Sequence, residues 1–514
     1  MKNQKLHFVG IYILLIGIIY FLTEVIIFPN WWWHFYVLAF GLISITVIEI
    51  LGEIRKKGHR GLISPLFLGG ATTFLLSVGG LTSFLLTYEG RFLVFGTSFT
   101  VSTLYANPQW LVKGIGYSAI GALFCFLGYR MRIASCLSDA YLKKISFITN
   151  CEIPKINLIA LFCFAYFVKF YLFSQGLYGY QQLGKGFYEQ SRLHVFQSVG
   201  TLLLAVATYL FYTQKTKFNK LFFYFVFSFE LLFSIVHGAR SAIVMFFGVL
   251  IVSSIYAGAK LKISQVIGFI GVIILAFTIG GQFKEFYGRI ADKTEINTPL
   301  KTLEAFMSKK SKIKKKLKDL NEFTEKEMGI KNIVYYLAIS RFCYLSETSL
   351  SIYHKDTYGL TEKDPSFIKA ILLSPIFAFF PSYYLFGKVD PAWGGWFLVD
   401  VQKSSTSGYS IAFSPIGYLY FLGKLPAIML GCLMYGLMLK FTASLMQHRG
   451  VFIFIIFMAL LSVVQTFDTN VGGTITIFLR YVFGIPIVLF LFFTNYSIKI
   501  VIYFLSQIKR DTKF

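Results

Sequence analysis

The chain is laid out as long apolar blocks separated by short polar or basic segments. Blocks near the length that spans a bilayer core, about 17–25 residues, fall at roughly 8–28, 31–51, 62–87, 111–129, 157–174, 196–213, 221–236, 241–257, 263–281, 424–439, 451–467 and 475–497. This pattern predicts an all-α, polytopic membrane protein of about 12 transmembrane helices. A segment of different character, roughly 282–410, separates the ninth and tenth blocks. It holds a polar, lysine-rich stretch at 301–331 and two amphipathic or apolar stretches at 332–353 and 368–387. If both of these crossed the bilayer the count would rise to 14, and every other loop would keep its side. Pro375 and Pro381 beside Tyr383 and Tyr384 favour an interfacial, broken element over a clean span. The expected organisation is nine helices over 1–281, a large loop over 282–423 and three helices over 424–514.

Charge gives the orientation. With the N-terminus inside, each even-numbered block exits into a basic cluster, from Arg55, Lys56, Lys57 and Arg60 to Lys509, Arg510 and Lys513. The segments so assigned to the cytoplasm carry 22 basic residues and only Glu53, Asp139, Glu152 and Asp511 as acids. The short external loops carry Arg91, Lys185, Arg192 and Arg240. Positively charged loops stay inside, so both termini are expected in the cytoplasm and the 282–410 segment outside. The first block is too long for a cleavable signal peptide, lacks a small-residue cleavage site and runs straight into a second block. Trp31, Trp32 and Trp33 then read as an anchor in the outer headgroup layer.

Composition agrees. Of 514 residues 56% are apolar, 19% aromatic and 14% charged, and the mean hydropathy is +0.65. Soluble domains carry about 25% charged residues, so a soluble enzyme, a disordered chain and a disulfide-rich module are all excluded. The net charge of +25 would suggest nucleic acid in a soluble protein; here it is mostly the cytoplasmic rim. Of the six cysteines only Cys343 falls outside, which leaves no external disulfide framework. No C-x-x-C pair, H-E-x-x-H or P-loop is present, so no metal or nucleotide cofactor is expected.

The longest cytoplasmic stretch, 130–156, is too short for a nucleotide-binding domain, so any chemistry belongs to the outer face. There, Lys309 to Lys318 form the densest charge cluster of the chain. Lys310, Lys314, Lys315 and Lys316 suit either a solvated helix or a patch for anionic headgroups or an acidic partner. Downstream, 387–423 alternates small, polar and aromatic residues, a composition shared by turn-rich loops and carbohydrate sites. Four ionisable residues sit where charge is costly: Glu230 near the middle of its block, Arg240 in a tight external turn, Arg341 in an apolar stretch and Arg480 a turn inside the outer end of the last block. Glu230 either pairs with an arginine in the bundle or faces a polar cavity. The arginines either snorkel to the interface or gather at one cavity to grip a diphosphate bidentately.

Two short motifs carry a resemblance. The turn Gly238-Ala239-Arg240-Ser241 opens a block, and the run Ser414-Pro415-Ile416-Gly417-Tyr418-Leu419-Tyr420-Phe421-Leu422-Gly423 leads into the last blocks after a long external loop. In these features the chain resembles the Wzy-type O-antigen polymerases, the oligosaccharide repeat unit polymerases. The resemblance implies a GT-C-type glycosyltransferase of the bacterial inner membrane with its site facing the periplasm. Such an enzyme transfers a growing glycan from one undecaprenyl-diphosphate carrier onto a repeat unit on a second carrier, without nucleotide sugar or metal. It works beside a chain-length-determinant co-polymerase. The departing diphosphate needs fixed positive charge, for which Arg240 stands first, with Arg341 and Arg480 as partners. The acceptor hydroxyl needs a general base; Glu347 and Asp400 stand first among Glu347, Asp390, Asp400, His354 and Asp468. O-antigen ligases share the layout and usually show a catalytic His in the large loop near an H-N/S-x-x-L pattern; no His lies between His354 and His448, which counts against the ligase. A flippase or transporter of lipid-linked oligosaccharide is the remaining alternative; the halves of the chain show no internal repeat.

Overall fold

A computed structural model describes residues 2–24, 31–75, 109–146, 153–179, 196, 198–237, 240–259, 271, 299–308, 344–358, 414–465, 467 and 471–493. Every regular element among them is helical: α1 (Lys2–Glu24), α2 (Trp31–Lys57), α3 (Gln109–Arg130), α4 (Arg132–Lys144), α5 (Lys155–Ser174), α6 (Ser198–Thr213), α7 (Lys217–Val236), α8 (Arg240–Tyr256), α9 (Pro299–Ser308), α10 (Tyr344–Tyr358), α11 (Pro415–Leu445), α12 (Val451–Val464) and α13 (Val471–Phe493). A 3₁₀ turn at Gly58–Ile63 and a π-helical turn at Leu66–Ala71 extend the region after α2. Five of these segments are long and apolar enough to cross a membrane, among them Gln109–Arg130, Lys155–Ser174, Lys217–Val236 and Pro415–Leu445. Leu14, Phe40, Ile48 and Phe167 are exposed on their helices, which suits lipid as the surrounding solvent. The chain is an all-α membrane protein. Apart from residue 271, the expected blocks at 263–281 and 368–387 lie outside the described residues.

The chain divides into two compact units. The first takes Met1–Lys144, Ile330–His448 and Ala459–Ile485; the second takes Ile145–Gly329, Arg449–Met458 and Pro486–Phe514.

The first unit is organised around α3 and α11, which run in the same direction. Small residues let their backbones approach, as in other membrane helix pairs. A Cβ on Gly436 would lie 2.0 Å from the Cys125 carbonyl oxygen, and one on Gly128 would lie 2.3 Å from that of Leu433. The α3 helix is buried along almost its whole length. α1 packs antiparallel to it, so that the Glu24 end of α1 meets the Gln109 end of α3. At the opposite end, α2, α3 and α11 finish together. There Arg130 grips Glu49 through two nitrogens, at 2.5 and 3.3 Å, and Tyr12 donates to the same carboxylate at 2.5 Å. Glu53 bonds Lys57 at 2.6 Å and accepts from Ser64 and Tyr129.

The tenth apolar block was expected at 424–439, but its helix begins at Pro415. Ser414 caps it, accepting from the Gly417 N–H at 3.4 Å, and Pro415 at the first position has no N–H to leave unpaired. Cap and proline start a helix where the composition reads as a turn. The backbone then breaks at Gly423 and Lys424. Pro426 is the cause, since it lacks the N–H for the Leu422 carbonyl and its ring crowds that oxygen. Lys424 takes φ 54° and ψ −142°, a conformation costly for any residue with a side chain.

The second unit is aromatic. Phe162, Tyr166, Phe229 and Phe233 interlock between α5 and α7, and Phe454 stacks on Tyr209 at 4.8 Å. Tyr178, just past α5, closes onto Phe233 and His237 at the end of α7.

The α3–α11 contact predicts that Gly436→Ala destabilises the protein by about 1–3 kcal/mol, the usual range for overpacking. Gly484→Ala, where a Cβ meets nothing within 4 Å, is the matched control. Thermal unfolding in detergent reads the difference, and equal midpoints for the two variants would contradict the packing.

Candidate functional site

The run 414–423 docks α10 and brings Tyr420 to a cavity. Its Ser414 not only caps α11 but also bonds Thr348 of α10 at 2.6 Å. Gly417 leaves room for Ser351, whose hydroxyl would sit 2.8 Å from a Cβ there. These two contacts lay α10 along the first turns of α11 and carry Asp356 to Tyr420, whose hydroxyl lies 2.9 Å from both carboxylate oxygens. Tyr420 in turn stacks on Tyr117 of α3, with ring centroids 5.2 Å apart, and Tyr117 donates to Glu24 at the end of α1. Four helices thus converge on a cavity of about 380 Å³, lined by Glu24, Lys113, Tyr117, Asp356, Tyr420 and Lys424.

The charges balance: two carboxylates face two ammonium groups. Lys424 lies 3.0 Å from Asp356 Oδ1. Lys113 lies between the acids, 3.6 Å from Glu24 and 3.8 Å from Asp356, and 5.4 Å from the centre of the Trp110 ring. The lining offers proton acceptors and cations for an anionic group, while the Tyr117 and Tyr420 rings are buried against one another. Among the described residues no cluster of three His, Cys, Asp or Glu could hold a metal.

The residues expected to carry chemistry are distributed otherwise. Glu347 lies on α10, two turns before Asp356, with its side chain outside the described residues. Asp400, Arg341, Lys310, Lys314, Lys315 and Lys316 lie outside them too, as do Asp390 and Asp468. Arg240 opens α8 in the second unit, its side chain likewise outside the description. Arg480 is exposed on α13, in the portion belonging to the first unit. His354 is buried on α10 and does not line the cavity. Burial pushes its imidazole down to about 4, so it is neutral at pH 7.

Sequence reasoning passed over Glu24, Lys113, Asp356 and Lys424. Three of them stand at the margins of apolar blocks, where a charge looks like an ordinary flank, and Asp356 is one of many acids in a long loop. Tyr420 belonged to the motif run and was the available signal.

Glu230 is paired, but not with an arginine. Its partner is Lys169 of α5, at 2.5 Å, and both side chains are 4% exposed. Arg240 and Arg480 are the conspicuous cations near block ends, yet Lys169 lies inside its own apolar helix, level with Glu230. Gly200 of α6 makes the space: a Cβ there would come within 2.1 Å of Glu230 Oε1 and 2.7 Å of Lys169 Nζ. Tyr166 and Phe233 flank the ammonium group at 5.8 and 5.6 Å.

The chain matches no family model, no curated protein and no solved structure. Function is therefore argued from the site.

Removing one member of the buried pair, by Glu230→Gln or Lys169→Met, is expected to cost about 3–5 kcal/mol because the other charge stays buried alone. Replacing both, with Lys169→Met and Glu230→Leu, should recover most of that loss. Unfolding in detergent tests it; a double variant less stable than either single one would contradict the pairing account.

Proposed function

We propose that this protein polymerises diphosphate-lipid-linked oligosaccharide repeat units at the external face of a bacterial inner membrane. The observation that carries the reading is the cavity of the first unit. Tyr420, from the motif run 414–423 that underlies the resemblance to the Wzy-type polymerases, reaches its lining, which combines carboxylates and ammonium groups. Its four walls also agree in side. The end of α1, the start of α3, the start of α11 and the 282–410 segment that contributes α10 were each assigned to the outside from loop charge alone.

Glycosyl transfer between lipid carriers needs little more than these groups. An acceptor hydroxyl must lose a proton, and a diphosphate must leave with its negative charge stabilised. The two carboxylates and two ammonium groups at the cavity supply acceptors and donors for sugar hydroxyls. Arg240, Arg341 and Arg480 remain the guanidinium candidates for the donor diphosphate, and the lysine run with Lys310, Lys314, Lys315 and Lys316 remains the candidate patch for headgroups or a chain-length-determinant co-polymerase.

Surface glycan from a deletion strain tests the reading. Loss of a polymerase leaves lipid A core capped with a single repeat, and the wild-type gene restores the ladder whereas Arg240→Ala, though inserted, does not. Core without any repeat and polymer stranded on the carrier would instead mean a ligase; no repeat and no polymer outside would mean a flippase.

A further inference from the structure

We propose that Glu24 receives the proton of the acceptor hydroxyl, and that Asp356 is a positioning residue that holds Lys424 ready for the departing diphosphate, with Lys113 standing between the two acids. The assignment rests on the polymerase reading and divides the labour within its cavity.

Both carboxylates line the cavity, but they differ in how far each is already engaged. Asp356 is engaged at hydrogen-bond distance by a hydroxyl and an ammonium group. Tyr420 Oη is 2.9 Å from both carboxylate oxygens, Lys424 Nζ is 3.0 Å from Oδ1 and Lys113 Nζ is 3.8 Å from Oδ2. Its side chain is 16% exposed. Glu24 is 31% exposed. Its Oε1 accepts from Tyr117, while the nearest cation to its Oε2 is Lys113 at 3.6 Å, longer than a hydrogen bond. A general base must bring a lone pair to about 2.6–3.2 Å from the group it deprotonates. Among the described residues Glu24 Oε2 has no partner at hydrogen-bond distance, whereas Asp356 accepts from Tyr420 at 2.9 Å and pairs with Lys424 at 3.0 Å. Tyr117, itself held against Tyr420 by ring stacking, sets the rotamer of the glutamate.

The lysines are suited to the other half of the reaction. Lys113 lies within 4 Å of both acids. Lys424 is 57% exposed at the cavity edge, on the strained backbone of the α11 break. When a diphosphate arrives, each ammonium group exchanges part of its contact with a carboxylate for contact with phosphate oxygen. In the transfer step the acceptor oxygen forms a bond to the donor's anomeric carbon. The bond from that carbon to the diphosphate oxygen breaks, and its electron pair leaves with the diphosphate, facing Lys113 and Lys424. The acceptor proton passes to Glu24, which later returns it to water. No oxidant, reductant or metal enters the balance.

The test uses the full chain in lipid nanodiscs, with a diphosphate-lipid-linked repeat unit as both donor and acceptor and chain elongation read on a gel. Glu24→Gln should lower the elongation rate about 100-fold or more while leaving KM within about threefold and the unfolding temperature unchanged. Asp356→Asn should raise KM as well as slow elongation, because Lys424 loses its anchor. Elongation by Glu24→Gln at the wild-type rate overturns the proposal and leaves the polymerase reading standing; a wild-type protein that elongates nothing overturns both. Should Glu24→Gln fail to accumulate, Glu24→Asp decides: a reduced rate at unchanged KM is expected, and an unchanged rate overturns the proposal.

Discussion

A charge inside an apolar helix must find an opposite charge or water, and the described structure is arranged around that constraint. Glu24, Glu49, Lys113, Lys169, Glu230 and Lys424 all fall within the apolar blocks of the chain. Each is paired: Glu49 with Arg130, Lys169 with Glu230, and Glu24, Lys113 and Lys424 in one group with Asp356. Each pairing ties together helices that are distant in sequence. Glycines and small residues then do what charge does not, bringing α3 against α11 and opening the space beside Glu230.

The pairings differ in character, and the difference separates structure from chemistry. Lys169–Glu230 is sealed, with aromatic rings on either side of the ammonium group and a glycine against the carboxylate. Such a pair fixes the register of α5 against α7 and offers nothing to a ligand. Glu49 with Arg130 and Tyr12 fastens the far end of the first unit in the same way. The group around Asp356 is instead open to a cavity, includes an exposed lysine on strained backbone, and is framed by two stacked tyrosines. An open, charge-balanced group is the arrangement that can exchange its internal contacts for those of a polar ligand.

Much of this was legible in the chain and some was not. Block length and loop charge give the helical membrane class because bilayer thickness and the inside-positive bias act on composition, which a sequence displays directly. The start of α11 was missed because Ser414, Pro415 and Gly417 carry turn chemistry, and only the contact with α10 reveals that they cap and dock a helix. Glu230 was visible as an anomaly in an apolar run, whereas Lys169, equally anomalous, was overlooked in favour of arginines. The cavity itself could not be read locally. Residues 24, 113, 356 and 424 share no spacing and no motif, and their meeting is a product of helix packing. Tyr420 was the exception, since it sits in the one run whose pattern already stood out.

The account turns on the side of the membrane to which the cavity of the first unit opens. In a variant stripped of its cysteines, Lys424→Cys reports on the cavity edge, and Cys136 restored alone reports on α4, where it is exposed. A membrane-impermeant maleimide added to spheroplasts should label Lys424→Cys at once and Cys136 only after the membrane is opened. Labelling of Lys424→Cys only after opening, or of both positions from the same side, would contradict the account.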